Sequence, residues 1–409
     1  MWFKQQVRAI AAVAALGLVV GCVSLAGSAS GASTVRGFDG VNVKVAGLAP
    51  VPAYQGADIG AIARFNRANN EAEVKGVTFN YIGSTPDGGN ATTALTEVRR
   101  LVEQEQVFAI VPDFSSSNPA EYLDAEHVLH LGWPLDASYC SAKPTTKIYG
   151  FGYPGCYANP APSFVTDTLG PYYDHVSKKL GKRKPTVVFF GNDAPAAQLN
   201  AKNYPTSLEG AGFDVVSSTA TMPATTTDYG PYVQQLMTAN AGAPPDVVVC
   251  GAGAQCFPLY SALRNAGFTG EFGQGAHVDA ILRLMVGSAA RAVYNTKPSP
   301  ALTQMMADLE AAKPGTTVTQ ANAMAYFAAD MFIQAVKAVG VKKLTPEAVQ
   351  KVLSTMTWQI KGLAGPLSYP KSTVAPYPSC SAVVFDTNGS AWDVVEPYSC
   401  STKKFKVPD

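Results

Sequence analysis

Between residues 41 and 276 short runs of β-branched and aromatic residues alternate with longer stretches whose apolar residues recur at helical spacing. A helix after each strand carries the chain back to the edge it started from, so the strands run parallel and the helices must cover the sheet. Residues 41–46, 77–82, 107–111, 130–134 and 147–149 read as strands of a first lobe. Ala94, Leu95, Val98, Leu101 and Val102 form the stripe of one covering helix. The interval 150–162 is rich in Gly and Pro, so no helix or strand is expected through it, and the chain is expected to cross there into a second lobe. The alternation restarts with a helix bearing Val165, Leu169, Tyr172, Val176 and Leu180. Strands at 186–190, 213–216 and 246–250 follow, with helices at about 194–210, 229–240 and 254–266. With 409 residues the chain is long enough for two cores.

Past residues 287–300 the pattern becomes mainly helical, at about 300–313, 319–339 and 345–355. Met324, Phe327, Ala328, Met331, Phe332, Ala335 and Val336 share one face of the second of these helices, as core residues do. A strand at 365–369 and a hairpin of 381–385 with 391–395 around Asp386-Thr387-Asn388-Gly389 are expected to end the fold. The fold class is therefore α/β, with two doubly wound βαβ lobes. The expected division is 41–155 plus 291–358 for the first lobe, 156–290 plus 359–400 for the second, and a tail at 401–409.

The N-terminus addresses export. Lys4 and Arg8 precede an apolar run, 10–20, that is too short to span a bilayer as an anchor, and Val19-Val20-Gly21-Cys22 ends it. That ending resembles the lipobox of bacterial lipoproteins, which makes 1–21 a signal peptide, Cys22 the lipidation site and 22–40, rich in Ser, Gly and Ala, a flexible tether. A plain secretory signal cleaved between Gly27 and Ala32 is the alternative; both place the chain outside the cytoplasm, the first on the outer face of the cell membrane. Cleavage removes Lys4 and Arg8 from 31 basic residues against 30 acidic ones, which turns the formal charge from +1 to about −1. No basic surface for nucleic acid is implied.

Of seven cysteines, lipidation takes Cys22, and an even set remains in an oxidising compartment. Cys140 with Cys156, Cys250 with Cys256 and Cys380 with Cys400 is the most economical pairing. None of these couples has zinc-site spacing.

One strand ending stands out as a place to hold an anion. The apolar run 107–111 leads through Pro112, Asp113 and Phe114 into Ser115, Ser116 and Ser117, and Asn118, Pro119 and Glu121 suit the N-cap, N1 and N3 positions of a helix. Hydroxyls, free N–H groups and the positive end of a helix dipole would converge there, although a polar loop whose serines only solvate the turn has the same sequence. Gly150-Phe151-Gly152-Tyr153-Pro154-Gly155 matches a dinucleotide fingerprint as a string, but Pro154, Pro160 and Pro162 prevent the helix it needs. Gly251-Ala252-Gly253 is a better backbone cradle, and tight turning explains it equally well. Catalytic motifs are lacking: there is no H-E-x-x-H or G-x-S-x-G, and His127 with His130 lacks a third metal ligand, so both are read as surface or capping histidines. Asp193 and Asp279 follow second-lobe strands, where ligands meet α/β sheets, and each equally suits a helix N-cap.

Together, the export signal, the two lobes, Pro50-Val51-Pro52-Ala53-Tyr54-Gln55-Gly56 after the first strand, the serine loop and Gly365-Pro366-Leu367-Ser368-Tyr369 resemble a known family. It is that of the solute-binding proteins of ATP-binding-cassette (ABC) importers in the type I periplasmic-binding fold, nearest the branched-chain amino acid binders. The resemblance implies three crossings that form a hinge, no cofactor, no enzymatic activity, and a monomer whose partners are a small-molecule ligand and ABC permease membrane subunits. It places a ligand carboxylate on Ser115, Ser116 and Ser117, with Phe114 beside them and an aromatic cover at Tyr54. Leu135, Asp136, Ala137 and Ser138 would take the amino end, and Tyr157 would face the cleft at the first crossing. From the second lobe Asp193, Gly253, Gln274 and His277 are the expected ligand neighbours. Two departures stand out. No carboxylate appears after residues 272–276 until Asp279, and Ala194-Pro195-Ala196-Ala197 replaces the usual aromatic, so a zwitterion's ammonium loses its partner. A sensory receptor of the same fold and a secreted α/β enzyme are the competing classes.

Overall fold

The computed structural model describes residues 35–49, 54, 56–87, 90–115, 119–133, 139, 148–154, 164–274, 285–292, 294–368, 380–386, 389, 392–401 and 403–407. The first sheet holds five parallel strands, β1 (Asn42–Leu48), β2 (Thr78–Thr85), β3 (Ala109–Asp113), β4 (Leu129–Gly132) and β5 (Gly150–Gly152), in the order β2-β1-β3-β4-β5. Helices α1 (Ala57–Asn70), α2 (Ala91–Arg99) and α3 (Ala120–Ala125) join its strands, and Arg100–Gln104 extend α2 as a π-type turn. Strand residues alternate between two buried faces: Val43, Val45, Ala109 and Val111 enter one core, and Ala46, Leu48 and Ile110 enter another with Val98, Leu101 and Val102 of the α2 stripe. A parallel sheet covered on both sides requires that double apolar pattern.

After β5 the chain enters a second, seven-stranded sheet by way of β6 (Phe164–Thr166). Its parallel strands are β7 (Thr186–Asn192), β8 (Asp214–Met222), β9 (Val247–Cys250), β10 (Glu271–Gln274) and β11 (Ser288–Ala292). Helices α4 (Gly170–Leu180), α5 (Pro195–Ala211), α6 (Gly230–Met237) and α7 (Cys256–Asn265) pack among them. The chain then returns to the first core with α8 (Pro300–Ala312), α9 (Gln320–Val339), α10 (Pro346–Leu353) and the hairpin β12 (Thr357–Ile360) and β13 (Ala364–Ser368). Finally β14 (Cys380–Asp386) and β15 (Trp392–Cys400) close the second sheet antiparallel, so the sheet order is β15-β14-β11-β10-β9-β7-β8. Among the described elements the chain thus passes between the two sheets three times.

The helix α9 is buried on nearly every face, because it lies against α1, the first sheet and α10 together. A Cβ built on Gly60 of α1 would fall 1.9 Å from the Asn322 carbonyl oxygen, so the two helices approach this closely only with glycine there. Thr319 and Asn322 close a reciprocal capping box at the start of α9.

Several sequence expectations need correction. The strand placed at 147–149 lies at β5, inside the interval expected to be irregular. A Cβ on Gly150 would fall 2.5 Å from His130 Cε1, so the glycine makes room for the imidazole on the adjacent strand. Val165 belongs to β6 rather than to a helix; α4 begins at Gly170, whose N–H donates to Asp167 Oδ1 at 2.8 Å. The segment read as a tail contains β16 (Lys404–Lys406), which pairs antiparallel with β6. The tether gives way to packed chain before Gly40, since Phe38 bridges to Val43 and Arg36 Nε donates to the Val107 carbonyl at 3.1 Å. The expected lobe boundaries at 290/291 and 358/359 fall within β11 and β12. Trp358 of β12 is tied to α9 by its Nε1–H bond to Asp330 Oδ2, 2.9 Å.

The disulfides Cys250–Cys256 and Cys380–Cys400 are present as expected. Cys22, Cys140 and Cys156 lie outside the described residues.

Candidate ligand cleft

At the carboxyl edge of the first sheet the serine loop begins where β3 ends. Phe114 is buried, donates its N–H to the Leu48 carbonyl at 2.8 Å, and packs its ring 5.0 Å from that of Tyr54, which follows β1. Two residues far apart in sequence, one expected as an aromatic cover and one beside the serines, are therefore neighbours. Helix α3 starts one residue later than expected: Pro119 takes the N-cap position and makes no side-chain capping bond.

Ser115 is completely buried, and both of its donors are already directed at carboxylates of this chain. Its N–H points to Asp113 Oδ1 at 3.1 Å, and its hydroxyl donates to Asp87 Oδ2 at 2.7 Å. Asp87 and Asp113 are each 0% exposed. The other oxygen of Asp113 accepts from the Tyr139 hydroxyl at 2.8 Å and lies 3.1 Å from His130 Nδ1, with the His130 and Tyr139 rings edge to face at 4.9 Å. His130, expected at the surface or a cap, is thus part of a buried polar cluster, because β4 is covered on both faces. Separately, Asp58 at the start of α1 accepts from Tyr81 Oη at 2.5 Å and Ser84 N–H at 2.8 Å. Burial, and then the Asp58 charge, push the Tyr81 hydroxyl well above the usual phenol range.

At the carboxyl edge of the second sheet three βα loops are laced together. Asn192 Nδ2 donates to Gln255 Oε1 at 2.9 Å, Gln255 Nε2 donates to the Pro223 carbonyl at 3.0 Å, and Ala224 N–H donates to Asp193 Oδ1 at 2.9 Å. Asp193 is a loop brace; the N-cap position of α5 is Ala194. Gly253 sits in a left-handed conformation, φ +57, opening the turn that the Cys250–Cys256 disulfide closes. The backbone of Gln274 pairs with Cys250 on one side and Ala290 on the other, at the end of β10. Ser116, Ser117, Leu135, Asp136, Ala137, Ser138, Tyr157, His277 and Asp279 lie outside the described residues.

Sequence reading missed Asp87, Tyr139, Asn192 and Gln255, and left Asp113 without a role. Asp113 carried one signal, an acid at the end of an otherwise apolar strand; the partners of the others are 26 to 63 residues away. Among the described residues no group of His, Cys, Asp and Glu is arranged to hold a metal ion, and no helix is long and apolar enough to cross a membrane.

The profile of the periplasmic binding protein family matches residues 40–374, most of the chain, and this chain belongs to that family. It is a family of ligand-binding proteins rather than a class of enzymes. Structures similar to this one include a fatty acid ABC transporter substrate-binding protein from Thermomonospora curvata, with TM-score 0.71 and 14% identity over 93% of this chain and 98% of that one. A branched-chain amino acid ABC transporter protein from Thermus thermophilus with bound valine has TM-score 0.65 and 15% identity, covering 88% and 97% of the two chains. A solute binding protein from R. palustris in complex with 4-hydroxybenzoate has TM-score 0.61 and 17% identity, covering 90% and 98%. No curated protein matches the sequence. The α/β architecture with its parallel sheets is that of the type I periplasmic-binding fold.

Proposed function

We propose that the mature chain is an exported, monomeric receptor that captures a small organic ligand, amino acid-like or carboxylate-bearing, between its two lobes and delivers it to the membrane subunits of an ABC permease. The observation that carries this reading is the meeting of Tyr54, Phe114 and Ser115 at the carboxyl edge of a parallel sheet, where open α/β sheets take their ligands, in a chain of this family. The three crossings between sheets supply a hinge about which the lobes close. The ligands named for three similar structures, a fatty acid, valine and 4-hydroxybenzoate, differ in shape but share a carboxyl group. Ser116 and Ser117 are the proposed donors for it, with Leu135, Asp136, Ala137, Tyr157, Gly253, Gln274 and His277 around the remainder.

The second lobe lacks the acid that would face an ammonium, so acids without an amino group are expected to bind more tightly than zwitterions. A thermal-shift panel of leucine, valine and phenylalanine beside their deaminated analogues, with 4-hydroxybenzoate, tests both points. A compound present at 100 times its dissociation constant adds about 2.7 kcal/mol of stability. Tighter binding of the amino acids would reverse the ligand preference, and a flat panel would count against capture of this ligand class.

Anchoring through a lipid on Cys22 belongs to the same proposal, since the apolar run ends there and a tether follows. In detergent-phase partitioning the wild type is expected in the detergent and Cys22→Ala in the aqueous phase. A wholly aqueous wild type would favour plain secretion.

A further inference from the structure

Resting on the reading that a ligand lies between the lobes, we propose that Gln255 is a positioning residue of the second jaw: its side-chain amide joins the loops after β7, β8 and β9, so that they meet a ligand as one preformed wall. Three hydrogen bonds close a ring. Asn192 Nδ2 donates to Gln255 Oε1 at 2.9 Å, Gln255 Nε2 donates to the Pro223 carbonyl at 3.0 Å, and Ala224 N–H donates to Asp193 Oδ1 at 2.9 Å, which ties the remaining pair of loops. The strands run in the order β9-β7-β8, so the sheet itself does not bring the loops of β8 and β9 together. They start two strand spacings apart, roughly 10 Å, and the Gln255 side chain reaches over the end of β7 to join them. Its own place is fixed, because the next residue, Cys256, is bonded to Cys250 at the end of β9.

Asp193, Pro223 and Ala224 are exposed and Gln255 is half-buried, so these bonds add little to the stability of the whole fold, and a single loop at such an edge opens locally at small cost. In a closed ring no loop shifts without breaking two of the three ties, and Gln255 makes two of them itself. The jaw is therefore ordered before a ligand arrives, and the entropy of ordering it does not oppose binding. Gln255 acts in this way without touching the ligand.

The test is hydrogen exchange on the ligand-free mature protein, in wild type, Gln255→Glu and Gln255→Met. Glutamate keeps the acceptor for Asn192 and loses the donor to Pro223, whereas methionine keeps the length and loses both. Exchange is expected to rise several-fold in 223–228 alone for Gln255→Glu and in 193–198 as well for Gln255→Met. In neither variant should it rise within β7 or β9, which a general loss of stability would also expose. Calorimetry then reads the function, with leucine, valine, phenylalanine and their deaminated analogues as probes. Whichever of these binds the wild type should bind Gln255→Met about tenfold more weakly and Gln255→Glu by an intermediate factor, with the melting temperature of the ligand-free protein unchanged. Unaltered exchange in both loops, or unaltered affinity once exchange has risen, overturns the assignment. Should none of the probes bind any variant, capture of that ligand class has failed, and the exchange pattern alone decides whether Gln255 orders the jaw.

Discussion

Replacing Arg64 with methionine is expected to destabilise the fold by about 3–5 kcal/mol, the cost of leaving the buried Asp330 carboxylate without its cation. Arg64 is 2% exposed in α1, and each nitrogen of its guanidinium donates: Nε to Asp330 Oδ1 of α9 at 2.7 Å, and the two terminal nitrogens to Glu73 at 2.8 Å each. The methylenes of methionine fill most of the space but return none of those donors. Asp330 keeps Gln334 Nε2 at 2.6 Å and Trp358 Nε1 at 2.9 Å, so the double variant Arg64→Met/Asp330→Asn should recover part of the loss. Denaturant unfolding of the wild type, Arg64→Met, Asp330→Asn and the double variant checks this, and additive losses would show that the pair is not coupled.

The same cluster sets an acid limit. Burial alone would raise the Glu73 carboxyl, but the Arg64 and Arg67 guanidiniums outweigh it and hold the group below the usual carboxylate range. A pKa lower in the folded than in the unfolded chain contributes stability that is complete above the ordinary carboxylate range and lost as pH falls through the folded value. The fall in stability on acidification should accordingly be shallower in Arg64→Met than in the wild type.

Phe332→Ala is expected to cost about 3–5 kcal/mol as well, by a different mechanism. The ring is fully buried in α9 and meets Phe65 of α1 at 6.5 Å, Phe79 of β2 at 6.0 Å and Phe108 at 6.1 Å, so it touches three separate parts of the first core. Large neighbours on rigid elements cannot collapse into the space, which places this site toward the costly end for truncated aromatics. Phe332→Leu, which keeps most of the volume, should retain most of the stability. A shift in midpoint without a change in the denaturant slope would locate the loss in packing.

The apolar periodicities of the sequence were sufficient for the α/β class, the parallel sheets and the helical return of residues 300–353, and the close spacing of the cysteines for the pairing of Cys250 with Cys256 and Cys380 with Cys400. All of these follow from local pattern: a period of two or of 3.6 residues declares which face is buried, and cysteines a few residues apart close the shortest loops. Tyr54 and Phe114, whose rings meet, were each singled out through family resemblance. What only the tertiary structure decided is which polar groups meet. Nothing near Asp87 in sequence indicates Ser115, nothing near Asp113 indicates Tyr139, and Arg64 finds Asp330 across 266 positions. A buried polar side chain carries no periodic signal of its own; its identity is explained by the partner that offsets its desolvation, and that partner is chosen by the packing of sheets and helices. The glycines at 60 and 150 and the strand β16 belong to the same class, because each answers to a neighbour from elsewhere in the chain.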